Sequence, residues 1–339
     1  MELTTVWFGL IAFLWVGYLV LEGFDFGVGI LLPVIGRSER ERRAVIATIG
    51  PVWDGNEVWV LVAGGATFAA FPEWYATLFS GFYLPLFLIL VALILRGVAF
   101  EFRGKRPDAT WRLRWDAAIF IGSLLPAILW GVAFANIVAG VPIDAKHEFT
   151  GDLFTLLNPF GLLGGLTTLA LFVTHGAVFL ALKTTGELRA RANRVAAIAG
   201  LVTAVVAVVF LAWTQQQRGD TASLIVSVLA AAALVGALVA NRLGREGWAF
   251  IGTAVTIALA VVALFVALFP DVMPSSTDAA FSLTTTNASS TEYTLQIMTV
   301  VAVIFTPLVL LYQGWTYWVF RRRVAVDQLP ADEGTEGAA

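Results

Sequence analysis

The sequence predicts an all-α integral membrane protein with nine transmembrane helices, its N-terminus outside and its C-terminus cytoplasmic. Three observations carry this prediction. Of the 339 residues, 59% are apolar and 13% charged, against ~25% charged in a soluble globular domain, and mean hydropathy is +0.83. Nine stretches are long and apolar enough to cross ~30 Å of hydrocarbon, which takes ~20 helical residues. With the N-terminus outside, 19 of the 21 Lys and Arg fall on the cytoplasmic side, counting Arg96 at the inner end of its span, as the positive-inside rule requires.

The spans run approximately over 4–35, 51–71, 78–100, 116–140, 159–182, 195–213, 222–240, 248–269 and 294–320, and residues 1–320 read as a single transmembrane domain. Continuous apolar runs such as 201–211 and 255–268 suit helices, whose backbone groups are satisfied internally, and lack the alternation of a β-barrel. The first span follows Met1-Glu2-Leu3-Thr4-Thr5, without the basic region and cleavage site of a secretory signal, so it is expected to be retained. Spans one and two are joined by a basic loop, 36–50, containing Arg37, Arg40, Arg42 and Arg43. Arg103, Lys105, Arg106, Arg112 and Arg114 follow span three, and Lys183, Arg189, Arg191 and Arg194 follow span five. Arg242 and Arg245 follow span seven, and Arg321, Arg322 and Arg323 follow span nine. Only Lys146 and Arg218 lie outside, and adding or dropping one span would scramble every later loop. The outer loops are 140–158 and a Ser/Thr-rich 270–293 that includes Asn287-Ala288-Ser289. Trp74, Trp111, Trp115, Trp213 and Trp248 fall near span ends as an aromatic belt. Residues 321–339 read as a cytoplasmic, disordered tail.

Composition also bounds the chemistry. With no Cys, thiolate metal sites, iron–sulfur clusters and thiol catalysis are excluded. The two His are His147, in an outer loop among acids, and His175, in span five. His175 reads as a haem ligand, a proton carrier or a hydrogen-bonded packing residue, the last favoured. No metal site is expected, and a net charge of -3 gives no reason to expect nucleic acid. Gly23, Gly27, Gly29, Gly64 and Gly65 read as sites of close helix packing.

Charged groups within hydrocarbon cost about 2.5–3.5 kcal/mol each, so their presence points to function. Span one carries Glu22 and Asp25, and span two carries Asp54 and Glu57. Each pair has i,i+3 spacing and so shares a helical face. Counting ~1.5 Å per residue from the cytoplasmic ends puts Asp54 ~5 Å deep, Glu57 ~10 Å, Asp25 ~12 Å and Glu22 ~16 Å. This predicts a staircase of carboxyl groups suited to carrying protons, or a buried polar network joining the helices. Arg96, at the inner end of span three, could pair with one of them.

The segments Glu22-Gly23-Phe24-Asp25-Phe26-Gly27-Val28-Gly29, Gly50 to Val60, Gly64-Gly65 with Phe68 to Pro72, Arg96 to Arg103, Asn158-Pro159-Phe160-Gly161 and His175-Gly176-Ala177 resemble subunit II of the cytochrome bd quinol oxidases, the CydB family. The resemblance implies two four-helix bundles plus one peripheral helix, and a heterodimer with subunit I (CydA) in the bacterial cytoplasmic membrane. It implies oxidation of quinol and reduction of dioxygen to water by two b-type haems and one d-type haem, expected in subunit I. It leaves open a small accessory subunit and a structural quinone or lipid. Asp25 and Asp54 match positions linked to proton delivery, and Arg96 and Glu101 match a charged cluster nearby. Glu22, Glu57, Trp53 and Asn56 are carried over as motif positions. The scarcity of His and Met agrees with haems held by the partner. The rival reading is a proton-coupled secondary transporter, against which no inverted repeat is visible.

Overall fold

The computed structural model describes residues 2–329, and it is almost entirely helical. In chain order the helices are α1 (Leu3–Ile35), α2 (Glu39–Ile49), α3 (Trp53–Ala70), α4 (Pro72–Gly81), α5 (Tyr83–Phe102), α6 (Ala109–Ala139), α7 (Leu153–Leu156), α8 (Pro159–Lys183), α9 (Gly186–Arg218), α10 (Thr221–Arg242), α11 (Glu246–Leu268) and α12 (Glu292–Val319). Among the described residues, eight of these, all but α2, α3, α4 and α7, are long and apolar enough to cross a membrane. The predicted second span corresponds to α3, whose Asp54, Asn56 and Glu57 interrupt its apolar run.

Three local features depart from the sequence reading. The expected span over 78–100 is broken: α4 ends at Gly81 and α5 starts at Tyr83. Pro85 has no N–H to give to the Gly81 carbonyl, which interrupts the hydrogen-bond ladder at this point. The basic loop is not a plain loop, because Ser38 and Glu41 form a reciprocal capping box that starts α2. Residues 321–329, expected to be disordered, are instead fastened: Val324 N donates to Lys183 O at 2.7 Å, Lys183 Nζ to Arg322 O at 2.9 Å, and Arg40 Nη2 to Leu329 O at 2.6 Å. The remainder of the predicted tail, 330–339, lies outside the described residues.

Helices α1, α3, α5 and α6 form one group of neighbours, and α8 to α11 a second. The groups meet where α1 and α6 lie on α8. At the α1–α8 crossing a Cβ on Gly27 would sit 2.0 Å from the Phe172 carbonyl oxygen, so only glycine admits that approach. The segment Asn158-Pro159-Phe160-Gly161 starts α8: Asn158 accepts from Gly161 N, and Pro159 occupies the first turn. α12 stands at the edge, with Leu295 its one buried residue. Large apolar side chains such as Leu201, Val303 and Leu311 are exposed on the outside, while Glu22, Asp25, Arg96 and His175 are fully buried within.

The basic segments meet at one end, where Glu41 pairs with Arg191, and Glu246 with Arg189 and Arg323. Loops 140–158 and 270–293 are stitched together at the other end. There Val141 N donates to Pro274 O at 3.1 Å, and a short strand pair joins Asp271–Met273 to Leu283–Thr284. α3 runs between the two ends, since Ser290 N donates to the Ala70 carbonyl at 2.8 Å.

Candidate functional site

The buried charges centre on Arg96 of α5, which is wholly enclosed. Its Nη2 donates to Glu22 of α1 and, at 3.1 Å, to Oε2 of Glu57 of α3. Its guanidinium lies 4.7 Å from the centroid of the Phe26 ring, a cation–π arrangement that desolvation strengthens. Gly122 on α6 makes room for it, since a Cβ there would fall 2.7 Å from the Ala92 carbonyl and 2.8 Å from Arg96 Cβ. One cation thus ties α1, α3 and α5 together through two carboxylates.

Asp25, one turn along α1, takes a different partner. Asn56 Nδ2 donates to Asp25 Oδ2 at 2.7 Å, and both residues are fully buried. Several buried atoms in this region have no protein partner: Glu22 Oε2, Asp25 Oδ1, Arg96 Nε and Nη1, and Ser123 Oγ.

The four acids therefore do not form the expected four-step staircase. Glu22 and Glu57, expected ~6 Å apart in depth, share one guanidinium. Asp54 stays apart, exposed on the face of α3 that also carries the partly exposed Glu57. Both line a lateral groove of about 870 Å³ between α3, α4 and α5, with Trp53, Gly64, Gly65 and Phe68. Gly64 and Gly65 are thus not packed against a neighbouring helix of this chain: a Cβ on Gly65 would meet nothing within 4 Å among the described residues. Trp53 packs on Phe100, with ring centroids 5.0 Å apart.

Glu101 is exposed at the end of α5 and is not brought into a cluster with the buried Arg96. The second charged cluster is built instead by Arg103, which grips Glu39 through two bonds of 2.8 and 2.9 Å and also binds Asp116. Arg42 joins Asp116 at 3.1 Å. Glu39 and Asp116 escaped the sequence reading because they lie in basic segments, where an acid reads as charge balance.

His175 is fully buried, with both ring nitrogens engaged: Nδ1 bonds Thr253 Oγ1 at 2.7 Å and Nε2 bonds the Val20 carbonyl at 3.2 Å. A carbonyl only accepts, so Nε2 carries the proton and Nδ1 accepts from the hydroxyl. Phe250 stacks on the ring at 4.7 Å. This is a packing histidine with no nitrogen free to ligate a haem iron. His147 is in the outer loop at φ 61°, with its carbonyl held by Thr77 Oγ1 at 2.7 Å. Met273 is buried in the outer strand pair, and Met298 lies on α12.

Residues 3–320 match the family described as cytochrome bd terminal oxidase subunit II. The cytochrome bd ubiquinol oxidase subunit 2 of Bacillus subtilis is 43% identical over 330 residues, covering 96% of this chain and 97% of that protein. The cytochrome bd-I ubiquinol oxidase subunit 2 of Escherichia coli K12 is 37% identical over 362 residues, covering 96% of each. A chain in the structure of the bd oxidase from Geobacillus thermodenitrificans shares the fold, with a TM-score of 0.78 at 18% identity, covering 94% of this chain and 99% of its own length. The chain belongs to the cytochrome bd terminal oxidase subunit II family.

Proposed function

We propose that the chain is subunit II of a bd-type terminal quinol oxidase of the bacterial cytoplasmic membrane, coupling quinol oxidation to reduction of dioxygen to water. In this reading it forms a heterodimer with subunit I, which holds the two b-type haems and the d-type haem, and itself supplies scaffold and a cytoplasmic proton-uptake path. Residues 1–320 form one domain of nine spans, with α3 as the ninth, α12 peripheral, the N-terminus outside and the C-terminus in the cytoplasm.

The observation that carries the proton path is a wholly buried cluster, Glu22, Arg96 and Asp25, at the meeting of α1, α3 and α5. Each ionised group costs about 2.5–3.5 kcal/mol to insert, an expense that packing alone would avoid with apolar residues. Asp54, exposed on α3, takes up protons, and Glu57, Glu22 and Asp25 hold them deeper, with Arg96 compensating their charge. The unpartnered carboxyl and guanidinium atoms suit bridging water, which buried polar groups require. The α3–α5 groove opens this path sideways towards a partner. Glu101 and Trp53 flank it, and Asn56 and His175 support it.

Purification from native membranes tests the assignment. A haem-rich partner should co-purify, with quinol-dependent oxygen uptake. Solute transport without haem would instead favour the transporter. Within the complex, Asp25→Asn or Asp54→Asn should slow oxygen uptake by about 10²-fold, the scale of a lost proton-transfer group, with haem content intact. Unchanged turnover in both variants would sink the relay.

A further inference from the structure

α12 barely touches the rest of the protein, yet it reaches the buried acids at one point. Gln313 and Tyr317, four residues apart and so on one face, both end on the same atom: Gln313 Nε2 and Tyr317 OH each donate to Asn56 Oδ1 at 2.8 Å. Their neighbours Tyr312, Trp315 and Trp318 are exposed. The Tyr317 ring also meets Phe24 of α1 edge-on, with centroids 6.4 Å apart. The other side of the Asn56 amide faces α1, where Nδ2 donates to Asp25 Oδ2 at 2.7 Å and to the Leu21 carbonyl at 3.4 Å.

A primary amide offers an acceptor on one side and donors on the other, and a half-turn exchanges them. Two donors converging on Oδ1 leave only Nδ2 to meet Asp25. Without them, only the long 3.4 Å bond to the Leu21 carbonyl and Asp25 itself hold the amide this way round; turned, its oxygen would face the carboxylate, a contact that is repulsive unless the acid is protonated. The state of the α12 contacts is therefore transmitted to Asp25 by the orientation of one uncharged side chain. Hydrogen bonds in such a chain also polarise one another in low dielectric.

We propose that Tyr317 and Gln313 of α12 are positioning residues for Asp25: acting through Asn56, they hold a hydrogen-bond donor on its carboxylate and so control how it takes up and releases a proton. The inference rests on Asp25 being a proton carrier. Other ionisable groups near Asp25 are Glu22 on its own helix, Glu57 on α3 and Arg96 on α5, and none of these bonds Asn56 in place of α12.

The test uses the assembled oxidase, measured for oxygen uptake at saturating quinol in H2O and D2O. Tyr317→Phe, which removes one hydroxyl, should lower turnover by about two- to tenfold, the effect of one hydrogen bond. Haem content and the KM for quinol should stay unchanged, and the solvent isotope effect should rise. Gln313→Leu should act in the same direction, and Tyr312→Phe on the same helix should match the parent. Combining Tyr317→Phe with Asp25→Asn should cost nothing beyond Asp25→Asn alone. Parent-like behaviour of Tyr317→Phe, a loss without an isotope change, or a loss that adds in full to that of Asp25→Asn overturns the inference and leaves Asp25 as a carrier. If Asp25→Asn itself has no effect, the relay fails and this role fails with it.

Discussion

Gly27 and Gly65 sit in similar apolar, glycine-rich segments and do opposite things. Gly27 lets the backbone of α1 reach α8, where a Cβ would lie only 2.0 Å from a carbonyl oxygen that cannot move without shifting its helix. Gly65 lines an open groove, and a Cβ there would touch nothing within 4 Å. Gly27→Ala should therefore destabilise the protein by about 3 kcal/mol, the upper range of overpacking costs, and lower the thermal midpoint of the purified complex. Gly65→Ala should stay within about 0.5 kcal/mol of the parent. Equal midpoints for the two variants would refute this distinction. The same contrast explains what was legible in the sequence. Glu22, Asp25 and Arg96 stand out because a charge within an apolar run is costly wherever it points. The direction in which a glycine faces is not written in its neighbours. Gln313 and Tyr317 were invisible for a related reason: they are ordinary span residues whose partner Asn56 lies 257 and 261 positions away.

Among elements, α2 is the one that binds the others at its end of the molecule. Glu39 holds Arg103, just past the end of α5, and lies 3.5 Å from Arg112 of α6, while Glu41 pairs with Arg191 of α9. Arg40 holds the Leu329 carbonyl of the terminal segment. Burial works against ionisation of Glu39, but hydrogen bonds from Arg103 and the charges of Arg103, Arg112 and Arg43 outweigh it, so its carboxyl lies below the usual range. Glu41 is lowered likewise: burial opposes, and Arg191 with the Arg37 and Ser38 amides prevails. A carboxyl lowered in the folded state contributes stability above its unfolded value of ~4.3 and loses it as pH falls through the folded value. Hydrogen exchange in α2 should thus stay slow from neutral pH down to about pH 5 and quicken in more acid solution once intrinsic exchange is corrected for. Arg103→Gln should raise exchange at neutral pH and flatten that dependence, and an unchanged acid limb would show that the clasp lies elsewhere. The start of α2 was readable in Ser38-x-x-Glu41, and the α4–α5 break in Pro85, because both signals are local. The docking of 321–329 was not, because its partners, Lys183 and Arg40, come from distant segments.

For the whole molecule, the nine-span reading turns on α3, which lacks an apolar stretch as long as those of the other eight. Eight apolar helices surround the question without settling it, since an α3 that failed to cross would place Arg37 and Lys105 on opposite faces of the membrane. The geometry favours crossing: α3 starts beside α2 and ends against Ser290 in the opposite loops, and its 18 residues span ~27 Å. Segments bearing the predicted cytoplasmic arginines also converge at the α2 end, where Arg42, Arg103, Arg191 and Arg323 all find acids. The absence of Cys makes a direct test simple, because every thiol label on this chain then reports an introduced residue. Arg37, Lys105 and Glu187 are exposed near the α2 end, and Lys146 and Thr277 are exposed in the opposite loops. Single variants Arg37→Cys, Lys105→Cys and Glu187→Cys should react with a membrane-impermeant maleimide only in inverted vesicles. Lys146→Cys and Thr277→Cys should react only in intact spheroplasts. Labelling of Arg37→Cys and Lys105→Cys from opposite sides would remove α3 from the spans, and labelling of the whole set in reverse would overturn the orientation while keeping the count.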